Sequence, residues 1–455
     1  MQSEKREGPP RSSDDVPHLN HLPIGEVLFS YPLLEQLARE AGAIKRKVRK
    51  VDPCQLLATL MGTCPHGSPS YNDLASQIEN SHAYDPTKQA VALRFNPSFE
   101  LFIETVLGHV IALKVNEDLQ AGGLDLATFR GYRRVLVQDS TVIRLPSALF
   151  DDFSGVANAS SAVCNARIQA VYDLISGRLI SFSIDPYSKN DLSAAPELKL
   201  MPGDLVLRDR GYLTASEMQR HYDAGADFIY RHKTGVNYLD VATLQPIDLV
   251  ALLKERDSLD MEVLLNNDRL TRVRLLAAPV SEETANMRRM RAKKEACGHN
   301  PSKVVLALMD WTIFLTSIPS GKADFQTILG IYGLRWRIEV IFKAWKSHLK
   351  FGVLHRVSKI QLQILLKTRL LIITAAARLY RPLESVLWRN YRRRLSLLKF
   401  MKYFASSPKH LQRVIDWTDI NGTESATLEK ALLRYCCYDK RTKRMNFNET
   451  WEALA

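Results

Sequence analysis

The chain of 455 residues is poor in cysteine, and the few that it has exclude two common kinds of module. Its six cysteines form no CxxC pair and have no histidine partner at zinc spacing. Neither a disulfide framework nor a structural zinc module is therefore indicated. Free, scattered cysteines of this kind favour a reducing cytoplasm.

Long hydrophobic runs are also missing. The N-terminal segment MQSEKREGPPRSSDD has no apolar signal-peptide core, and the longest largely apolar stretch, residues 370–377, is far shorter than a membrane span. We therefore expect a cytoplasmic protein that does not cross a membrane. The sequence also has no internal repeat.

Acidic residues are outnumbered by basic ones. The chain has 62 Lys and Arg against 49 Asp and Glu, which gives a formal net charge of +13. Because the excess is spread along the chain, it suits a polyanionic partner over much of the surface. Charge alone also suits ribosomal and membrane-surface proteins. The apolar fraction of 46% and the length favour a globular chain of several domains.

The two ends of the chain differ in pattern from its middle. Residues 1–20 are polar and charged, which is typical of a disordered arm. Residues 21–130 predict a helical N-terminal domain that binds DNA. Residues 381–455 predict a helical C-terminal domain with the basic run YRRRLSLLKFMK.

One helix pair in the N-terminal region fits a helix-turn-helix. A capping box between Ser70 and Asp73 predicts a helix that ends near Glu79, and a second helix is predicted over 85–95. Short helix pairs are equally common as plain structural units. If this pair docks on DNA, the second helix presents Lys88, Gln89 and Arg94.

From residue 132 the pattern changes to short apolar runs separated by turn residues. A hairpin turn is predicted at Ser176 and Gly177, and a helix near 192–200. The runs predict strands over 135–137, 168–172, 179–184, 205–207 and 228–231. This order of elements is that of an RNase H-like α/β core, although other α/β sheets begin in the same way.

A long segment at about 232–312 interrupts this core. It contains the basic run MRRMRAKKEA, and the run WTIFLTSIP that follows it predicts a strand returning to the core. Four fragments predict further strands, at 249–253, 261–265, 271–277 and 304–308. We interpret the segment as an inserted, mainly β subdomain within a catalytic domain of residues 131–380.

Two aspartates share one local pattern. Asp139 closes the run VLVQD, and Asp209 closes the run LVLRD. We expect each to lie at or near the end of a buried strand, where side chains project into the crevice in which α/β proteins bind ligands. Taken singly, an aspartate at a strand end is more often a helix cap or a turn former.

The segment IYGLRWRIEVIFKAWKSHLKF, residues 331–351, predicts one helix with two stripes. The apolar stripe covers an arc of roughly 80° and suits packing against a core. A solvated helix flank is the alternative interpretation of the polar stripe. The apolar stripe comprises Ile331, Leu334, Ile338, Ile341, Trp345 and Leu349, and the polar stripe Tyr332, Arg335, Glu339 and Lys346.

The sequence thus places Asp139 and Asp209 on two predicted strands and Glu339 on a predicted helix. Three converging carboxylates repel one another unless cations lie between them. Oxygen ligands favour Mg²⁺, with Mn²⁺ as a substitute, over zinc, and two such ions suit displacement at a phosphodiester. Other acids lack the strand-end setting or a cationic stripe, namely Asp151, Asp152, Asp185, Asp204 and Asp310.

The blocks QDST, DRGY and Y-x2-R-x3-E-x6-K resemble those of the insertion-sequence-four family of DDE transposases, over roughly residues 130–350. The resemblance implies an RNase H-like core with a β insertion and helical flanking domains. It implies that Asp139, Asp209 and Glu339 form the metal-binding triad. It also implies that three further residues position the DNA backbone, namely Tyr332, Arg335 and Lys346.

Members of that family carry a tryptophan on the strand before the signature helix, where it stabilises a nucleotide flipped out of the stack. Trp311 has that kind of position here. An indole beside DNA offers a flat face for a base. A core or domain-boundary tryptophan is the alternative, and Trp345 is expected to lie in the core with the apolar stripe.

The resemblance implies a bacterial cut-and-paste DNA transposase that acts as a homodimer on double-stranded transposon ends and target DNA. Nicking, hairpin formation, hairpin opening and strand transfer would all be phosphoryl transfers at one site. Three alternatives remain at this point: an RNase H-like nuclease without strand transfer, a transposase-derived DNA-binding protein with an inactive site, and an RNA-binding structural protein.

Overall fold

The computed structural model describes most of the chain in eleven stretches. The arm expected at 1–20 and most of the helix expected near 192–200 lie outside them. The described residues are 29–46, 51–81, 85–112, 129, 131–154, 163–189, 198–296, 300–355, 357–407, 410 and 423–439.

The described part of the N-terminal region is helical wherever it has regular structure. The predicted capping box is present, because the Ser70 amide donates to Asp73 Oδ2 at 2.8 Å and the Asp73 amide donates to Ser70 Oγ at 3.1 Å. The last helix of the group buries a continuous face of aromatic and aliphatic side chains. These helices are α1 Tyr31–Glu40, α2 Pro53–Thr63, α3 Tyr71–Ser81, α4 Lys88–Arg94 and α5 Pro97–Ala112.

A nine-stranded mixed sheet follows, in the order β3-β2-β1-β4-β5-β9-β8-β7-β6. The strands β1, β4 and β5 pair in parallel, while β1, β2 and β3 pair antiparallel. Fully buried apolar runs in β1 and β4 agree with a sheet that is covered on both faces. The first five strands are β1 Arg134–Arg144, β2 Asn165–Asp173, β3 Arg178–Pro186, β4 Asp204–Arg208 and β5 Asp227–Arg231.

The strand β1 is longer than its apolar run predicts, so Asp139 does not lie at a strand end. Pairing with β2 continues from Leu136 to Arg144, whereas pairing with β4 stops where Gln138 faces Arg208. Asp139 is therefore the first residue of β1 beyond the end of the parallel pairing. Asp209 directly follows β4, as predicted.

The inserted segment extends the same sheet. Its strands are β6 Tyr238–Asp240, β7 Leu259–Leu265 and β8 Arg272–Pro279, and β8 pairs with β9 Trp311–Thr316, which in turn pairs with β5. The basic run lies in a helix. Helix α6 Ala215–Asp223 lies before β5 and outside the segment, whose own helices are α7 Leu249–Lys254, α8 Glu282–Glu295 and α9 Lys303–Leu308.

Two predicted strands of this segment, 249–253 and 304–308, are helices α7 and α9 instead. The Asp248 carboxylate accepts from the amides of Val250 and Ala251, and Ser302 Oγ accepts from the amide of Val305. Each run therefore begins at an N-cap. Periodicity alone cannot separate so short an apolar run into helix or strand.

The expected single helix over 331–351 is two helices, α10 Phe325–Gly333 and α11 Trp336–His348. At the junction, the amides of Leu334, Arg335, Arg337 and Ile338 each donate to the carbonyl three residues earlier. Such tighter turns interrupt the α-helical register. All six residues of the predicted apolar stripe are nevertheless buried.

The C-terminal helices enclose the core. Within the described residues, α12 Lys359–Tyr391 is the one helix long and apolar enough to span a membrane, but 78% of its apolar window is buried in the protein, as in a core helix. It packs on α5 and β3. The helices α13 Leu397–Ala405 and α14 Thr423–Tyr435 follow.

Side chains of α12 hold the N-terminal helices against the sheet. Lys367 Nζ contacts Glu100 at 2.7 Å and Glu104 at 2.6 Å. The buried Arg369 guanidinium donates to the carbonyls of Cys64 and Phe351, both at 3.2 Å. Because Phe351 lies just after α11, this arginine joins the N-terminal region to the end of the signature helix.

Candidate active site

Asp139 lies in a buried setting with one strong cationic partner. Its Oδ1 accepts from the Ser140 amide at 2.8 Å, and its Oδ2 accepts from Arg335 Nη1 at 2.9 Å. The pKa of Asp139 is raised to about 6. Burial raises it most, Arg335 and the Ser140 amide lower it, and Glu339 and Asp209 raise it. The carboxylate is therefore held in place at a point where negative charge is already concentrated.

Asp209 faces the signature helix from the end of β4. A 3₁₀ turn, Arg210–Tyr212, begins directly after it and directs the chain away from the sheet. The Tyr332 hydroxyl donates to Asp209 Oδ1 at 3.3 Å. Burial raises the pKa of Tyr332, Arg335 lowers it and Asp209 raises it, so the phenol remains a neutral donor.

Glu339 lies in the first turn of α11. Its Oε1 accepts from Arg335 Nη2 at 2.6 Å, four residues earlier along the helix. Its side chain is 31% exposed. Glu339 thus differs from the two aspartates, which lie on or directly after a buried strand. It is restrained by an ion pair with the residue just before its own helix.

Arg335 is the common partner of the candidate triad. Its guanidinium is 13% exposed, binds Asp139 and Glu339 directly, and lies 5.7 Å from the centre of the Tyr332 ring. Burial alone would lower the pKa of Arg335, but Tyr332 and the carboxylates Asp139, Asp209 and Glu339 raise it. The structure thus brings four of the seven predicted site residues together around a fifth, Arg335.

The other two predicted site residues lie elsewhere. Lys346 is exposed, two helical turns after Glu339, and makes no ion pair with a described residue. Trp311 begins β9, as predicted, but it is half-buried and packs against the apolar cluster of the inserted segment. The Trp311 carbonyl accepts from Arg288 Nη1 at 2.9 Å.

The donor chemistry at the triad fits a hard divalent cation, since all three side chains offer carboxylate oxygens. In the part of the chain that the structure describes, no three Asp, Glu, His or Cys side chains come close enough together to enclose a metal ion. The Arg335 guanidinium lies between Asp139 and Glu339, and all three carboxylates raise the pKa of Arg335, so positive charge is favoured at this point.

A buried polar contact beneath the aspartates was not predicted from the sequence. Gln138 Nε2 donates to Gln169 Oε1 at 3.3 Å, and the Tyr212 hydroxyl donates to the same oxygen at 3.1 Å. Gln169 thereby connects the residue before Asp139 to the turn after Asp209. The signal in the sequence is the polar residue that closes the apolar run VLVQD.

The residue before Asp209 is held in a similar way. Arg208 is only 1% exposed, and its Nη1 donates to Glu217 Oε2 at 2.5 Å and to the Tyr230 hydroxyl at 3.3 Å. Burial would raise the pKa of Glu217, but Arg208 lowers it. Because Arg208 and Gln138 are paired in register, the two polar contacts lie side by side under the site.

Comparison with known proteins identifies the family. The model of the family described as "Transposase DDE domain" matches residues 131–375, which includes all three candidate carboxylates. The chain belongs to this family of DDE transposases.

The curated relatives are transposases of bacterial insertion sequences. The transposase for insertion sequence element IS231D of Bacillus thuringiensis subsp. finitimus is 26% identical over 391 residues, 81% of each chain. That for IS231F of Bacillus thuringiensis subsp. israelensis is 26% identical over 69% of this chain and 70% of its own. That for IS1151 of Clostridium perfringens is 22% identical over 72% of this chain and 73% of its own.

Among solved structures, a piggyBac transposase synaptic complex with hairpin DNA covers 95% of this chain and 88% of its own, at 8% identity and a TM-score of 0.43. A structural similarity of this degree supports no conclusion about the fold or the function of this chain. The family match and the curated relatives establish a DNA transposase.

Proposed function

We propose that this transposase moves DNA by a cut-and-paste reaction of the insertion-sequence-four type, with Asp139, Asp209 and Glu339 as its catalytic triad. The observation that carries the proposal is the convergence of these carboxylates on Arg335 at the end of β4. A nuclease domain needs such a concentration of carboxylates only if a cation is to be bound there.

Each residue of the site has a distinct task in this proposal. Asp139, Asp209 and Glu339 hold divalent cations, Mg²⁺ or Mn²⁺, which when bound favour attack on a phosphodiester and departure of its leaving oxygen. The Ser140 amide and the pairing of β1 with β2 fix the direction of Asp139. Tyr332, as a neutral donor, orients Asp209.

Contacts with the DNA backbone fall to the polar stripe of the signature helix. Arg335 has a planar fork of donors that suits a phosphate, and the exposed Lys346 supplies a second positive charge farther along α11. Tyr332 completes the set. Because these contacts are largely electrostatic, binding weakens steeply as salt concentration rises.

Trp311 and the N-terminal helices have proposed roles in holding DNA. Trp311 would stack on a nucleotide that leaves the double helix during hairpin formation. In the helix pair α3 and α4, Lys88 and Gln89 are exposed and Arg94 is half-buried, an arrangement that supports docking of α4 on the transposon end.

The domain division and assembly belong to the same proposal. A helical domain at 21–130 binds the ends, residues 131–380 form an RNase H-like catalytic domain with its insertion at about 232–312, and the helical region 381–455 contributes to a homodimer. The dimer brings two double-stranded ends together before target capture in the bacterial cytoplasm. The family relationship and the basic charge of the chain support this assembly.

The test is a cleavage assay with supercoiled DNA that carries the gene's own flanking ends, with and without Mg²⁺. We expect the parent protein to release a fragment with hairpin termini and the Asp139→Ala variant to release none. Cleavage without later strand transfer would identify a nuclease instead. Binding without cleavage by either protein would identify a DNA-binding derivative.

A further inference from the structure

One buried arginine bonds to two loops that lie far apart in the sequence. The Arg369 side chain, in the N-terminal half of α12, is fully buried. Its guanidinium donates to the carbonyls of Cys64 at 3.2 Å and Gly67 at 2.7 Å, in the turn that joins α2 to α3. It also donates to the carbonyls of Phe351 at 3.2 Å and Val353 at 3.3 Å, in the loop that follows α11. We call residues 64–68 the α2–α3 turn and residues 349–353 the α11 loop.

The two loops also contact each other directly. The Ser68 hydroxyl donates to the Val353 carbonyl at 3.0 Å, and Arg369 Nη2 donates to the same hydroxyl oxygen at 3.5 Å. Every acceptor that the described residues give Arg369 is a carbonyl or hydroxyl oxygen in one of these loops. Burial lowers the pKa of Arg369, so this charge is held at a cost in free energy. The guanidinium therefore joins the loops and does not neutralise a described carboxylate.

The α11 loop fixes the signature helix against β1. The Phe351 ring packs on the ring of the buried Trp345, with 5.7 Å between their centres, and the Phe351 amide donates to the Trp345 carbonyl at 3.3 Å. Gly352 lies against β1, since a Cβ there would meet the Ile143 side chain at 3.9 Å. Because β1 and α11 carry two of the candidate carboxylates, movement of the loop changes the distance between them.

The α2–α3 turn leads into the helix pair that we propose to dock on DNA. It ends two residues before Ser70, whose capping box opens α3. Helix α3 in turn packs on both α2 and α4. A duplex bound along α4 therefore restrains the turn, and through Arg369 it restrains the α11 loop.

We infer that Arg369 is a positioning residue that couples docking of the N-terminal helices on a transposon end to the geometry of the catalytic carboxylates. It acts through the α11 loop and contacts neither DNA nor metal. The inference rests on the proposed function, to which it adds a route by which binding of an end favours cleavage. Such coupling restricts cleavage to a protein that has engaged its own DNA end.

The test compares Arg369→Lys with Arg378→Lys. Arg378 is a matched control, because it is also a buried arginine of α12 whose guanidinium donates to carbonyls of the N-terminal region, those of Val110 and Ile111. Neither of these contacts of Arg378 lies in the α11 loop. Lysine keeps the positive charge but lacks the planar fork of donors that bonds both loops.

The first readout is single-turnover cleavage of the natural ends in Mg²⁺, beside binding of the same DNA in EDTA. We expect Arg369→Lys to bind within about twofold of the parent and to cleave about tenfold to a hundredfold more slowly, since a small misplacement of a catalytic group is costly. Arg378→Lys should cleave within about twofold of the parent rate, at a similar loss of thermal stability. A loss of rate without a loss of affinity is specific to a positioning role.

The second readout is amide hydrogen exchange in the α11 loop, which needs no cleavage. The probe is a duplex of the inner part of the end, without the cleavage site, so that it does not occupy the active site. In the parent, this duplex should slow exchange at 349–353 about threefold, because binding at α4 restrains the loop. In Arg369→Lys the same duplex should leave exchange there unchanged.

A milder variant covers the case in which Arg369→Lys does not fold. Ser68→Ala removes the direct hydrogen bond between the α2–α3 turn and the Val353 carbonyl and leaves Arg369 in place. It should slow cleavage about threefold without a change in DNA affinity, as the loss of one hydrogen bond predicts. An unchanged rate in a folded Ser68→Ala protein would count against the coupling.

Two results would overturn the inference: the parent's cleavage rate in Arg369→Lys, or equal losses of rate in Arg369→Lys and Arg378→Lys. If the parent cleaves its ends but the inner duplex does not slow exchange in the α11 loop, the transposase stands and the coupling fails. If the parent never cleaves, yet the duplex slows exchange in the parent and not in Arg369→Lys, the coupling stands and the proposed catalysis fails.

Discussion

The two sides of the candidate active site are built differently. On the strand side, the residues before Asp139 and Asp209 are buried and hydrogen-bonded to Gln169 and Glu217. On the helix side, Glu339 is partly exposed and held through Arg335 alone among its described contacts. The strand side is thus part of the protein's core, and we expect the helix side to exchange its ion pairs for those of a ligand without loss of the fold.

The largest expected effect lies on the helix side and concerns chemistry. Replacement of the partly exposed Glu339 by Ala should reduce cleavage by about a thousandfold or more, because a ligand of the catalytic cations is lost. Its fold and DNA binding should persist. Cleavage rate, DNA affinity and thermal unfolding are measured on the same preparation. Cleavage equal to that of the parent would remove Glu339 from the mechanism.

On the strand side, Glu217→Ala should affect stability most. The change leaves the buried Arg208 guanidinium without its carboxylate, which costs about 3–5 kcal/mol in the free energy of unfolding. The matched control is Glu262→Ala, because Glu262 and Arg272 form an ion pair in which both side chains are more than half exposed. The control should cost less than about 1 kcal/mol.

Urea unfolding of the two variants compares the pairs directly. Similar losses for Glu217→Ala and Glu262→Ala would contradict a buried, structurally important Arg208 pair. A loss confined to Glu217→Ala would support the difference between the two sides of the site.

Acid should weaken the strand side through His221. Burial lowers the pKa of His221 from 6.5 to about 4, and its Nδ1 contacts the Glu217 carbonyl at 2.5 Å. Below pH 6.5 His221 takes up a proton in the unfolded chain but remains neutral in the folded protein until the pH approaches 4. The contribution of His221 to stability should therefore fall as the pH drops from 6.5 towards 4, by up to about 3 kcal/mol, while Asp139, whose pKa is raised, acts in the opposite direction.

The pH effect is measured by urea unfolding of the parent and of His221→Asn across this range. The variant loses the titrating ring, so the difference in the free energy of unfolding between the parent and the variant should change by this amount over the range. An equal pH dependence in both proteins would assign the acid sensitivity to other groups.

The smallest expected effect concerns the hydroxyl of Tyr212. Tyr212→Phe removes the donor to Gln169 and should cost about 1 kcal/mol of stability. Since Gln169 also holds Gln138, next to Asp139, the Mg²⁺ concentration needed for half-maximal cleavage should rise by up to about tenfold. The control is Tyr222→Phe, whose hydroxyl donates to the Arg272 carbonyl at 2.6 Å on the far half of the sheet.

The control should lose a similar amount of stability without a change in Mg²⁺ requirement. If both variants shift the requirement equally, the Gln169 contact has no special relation to the aspartates.

Local features were predicted well from the sequence. The capping box at Ser70, the strand that ends before Asp209 and the buried stripe from Ile331 to Leu349 all depend on residues within a few positions of one another. Two strand predictions, 249–253 and 304–308, were wrong. Both are short apolar runs that form helices because each begins at an N-cap, which the periodicity does not show.

The position of Asp139 shows why other features could not be predicted. Its local run predicts a strand end, but β2 extends the pairing of β1 past it. For Asp139 a partner distant in sequence therefore decided the outcome. The break between α10 and α11 differs, because it follows Gly333, a poor helix former, while the apolar stripe continues through it.

The sequence by itself determined which residues carry charge, which faces are apolar and which blocks match a DDE transposase, because these are properties of short segments with fixed periods. Only the tertiary structure decided that Arg335 bridges Asp139 and Glu339, that Arg208 and Gln169 are buried beneath the site and that Trp336 remains exposed. Arg335 and Asp139 are 196 residues apart in sequence, and the packing of α11 against β1 brings them together.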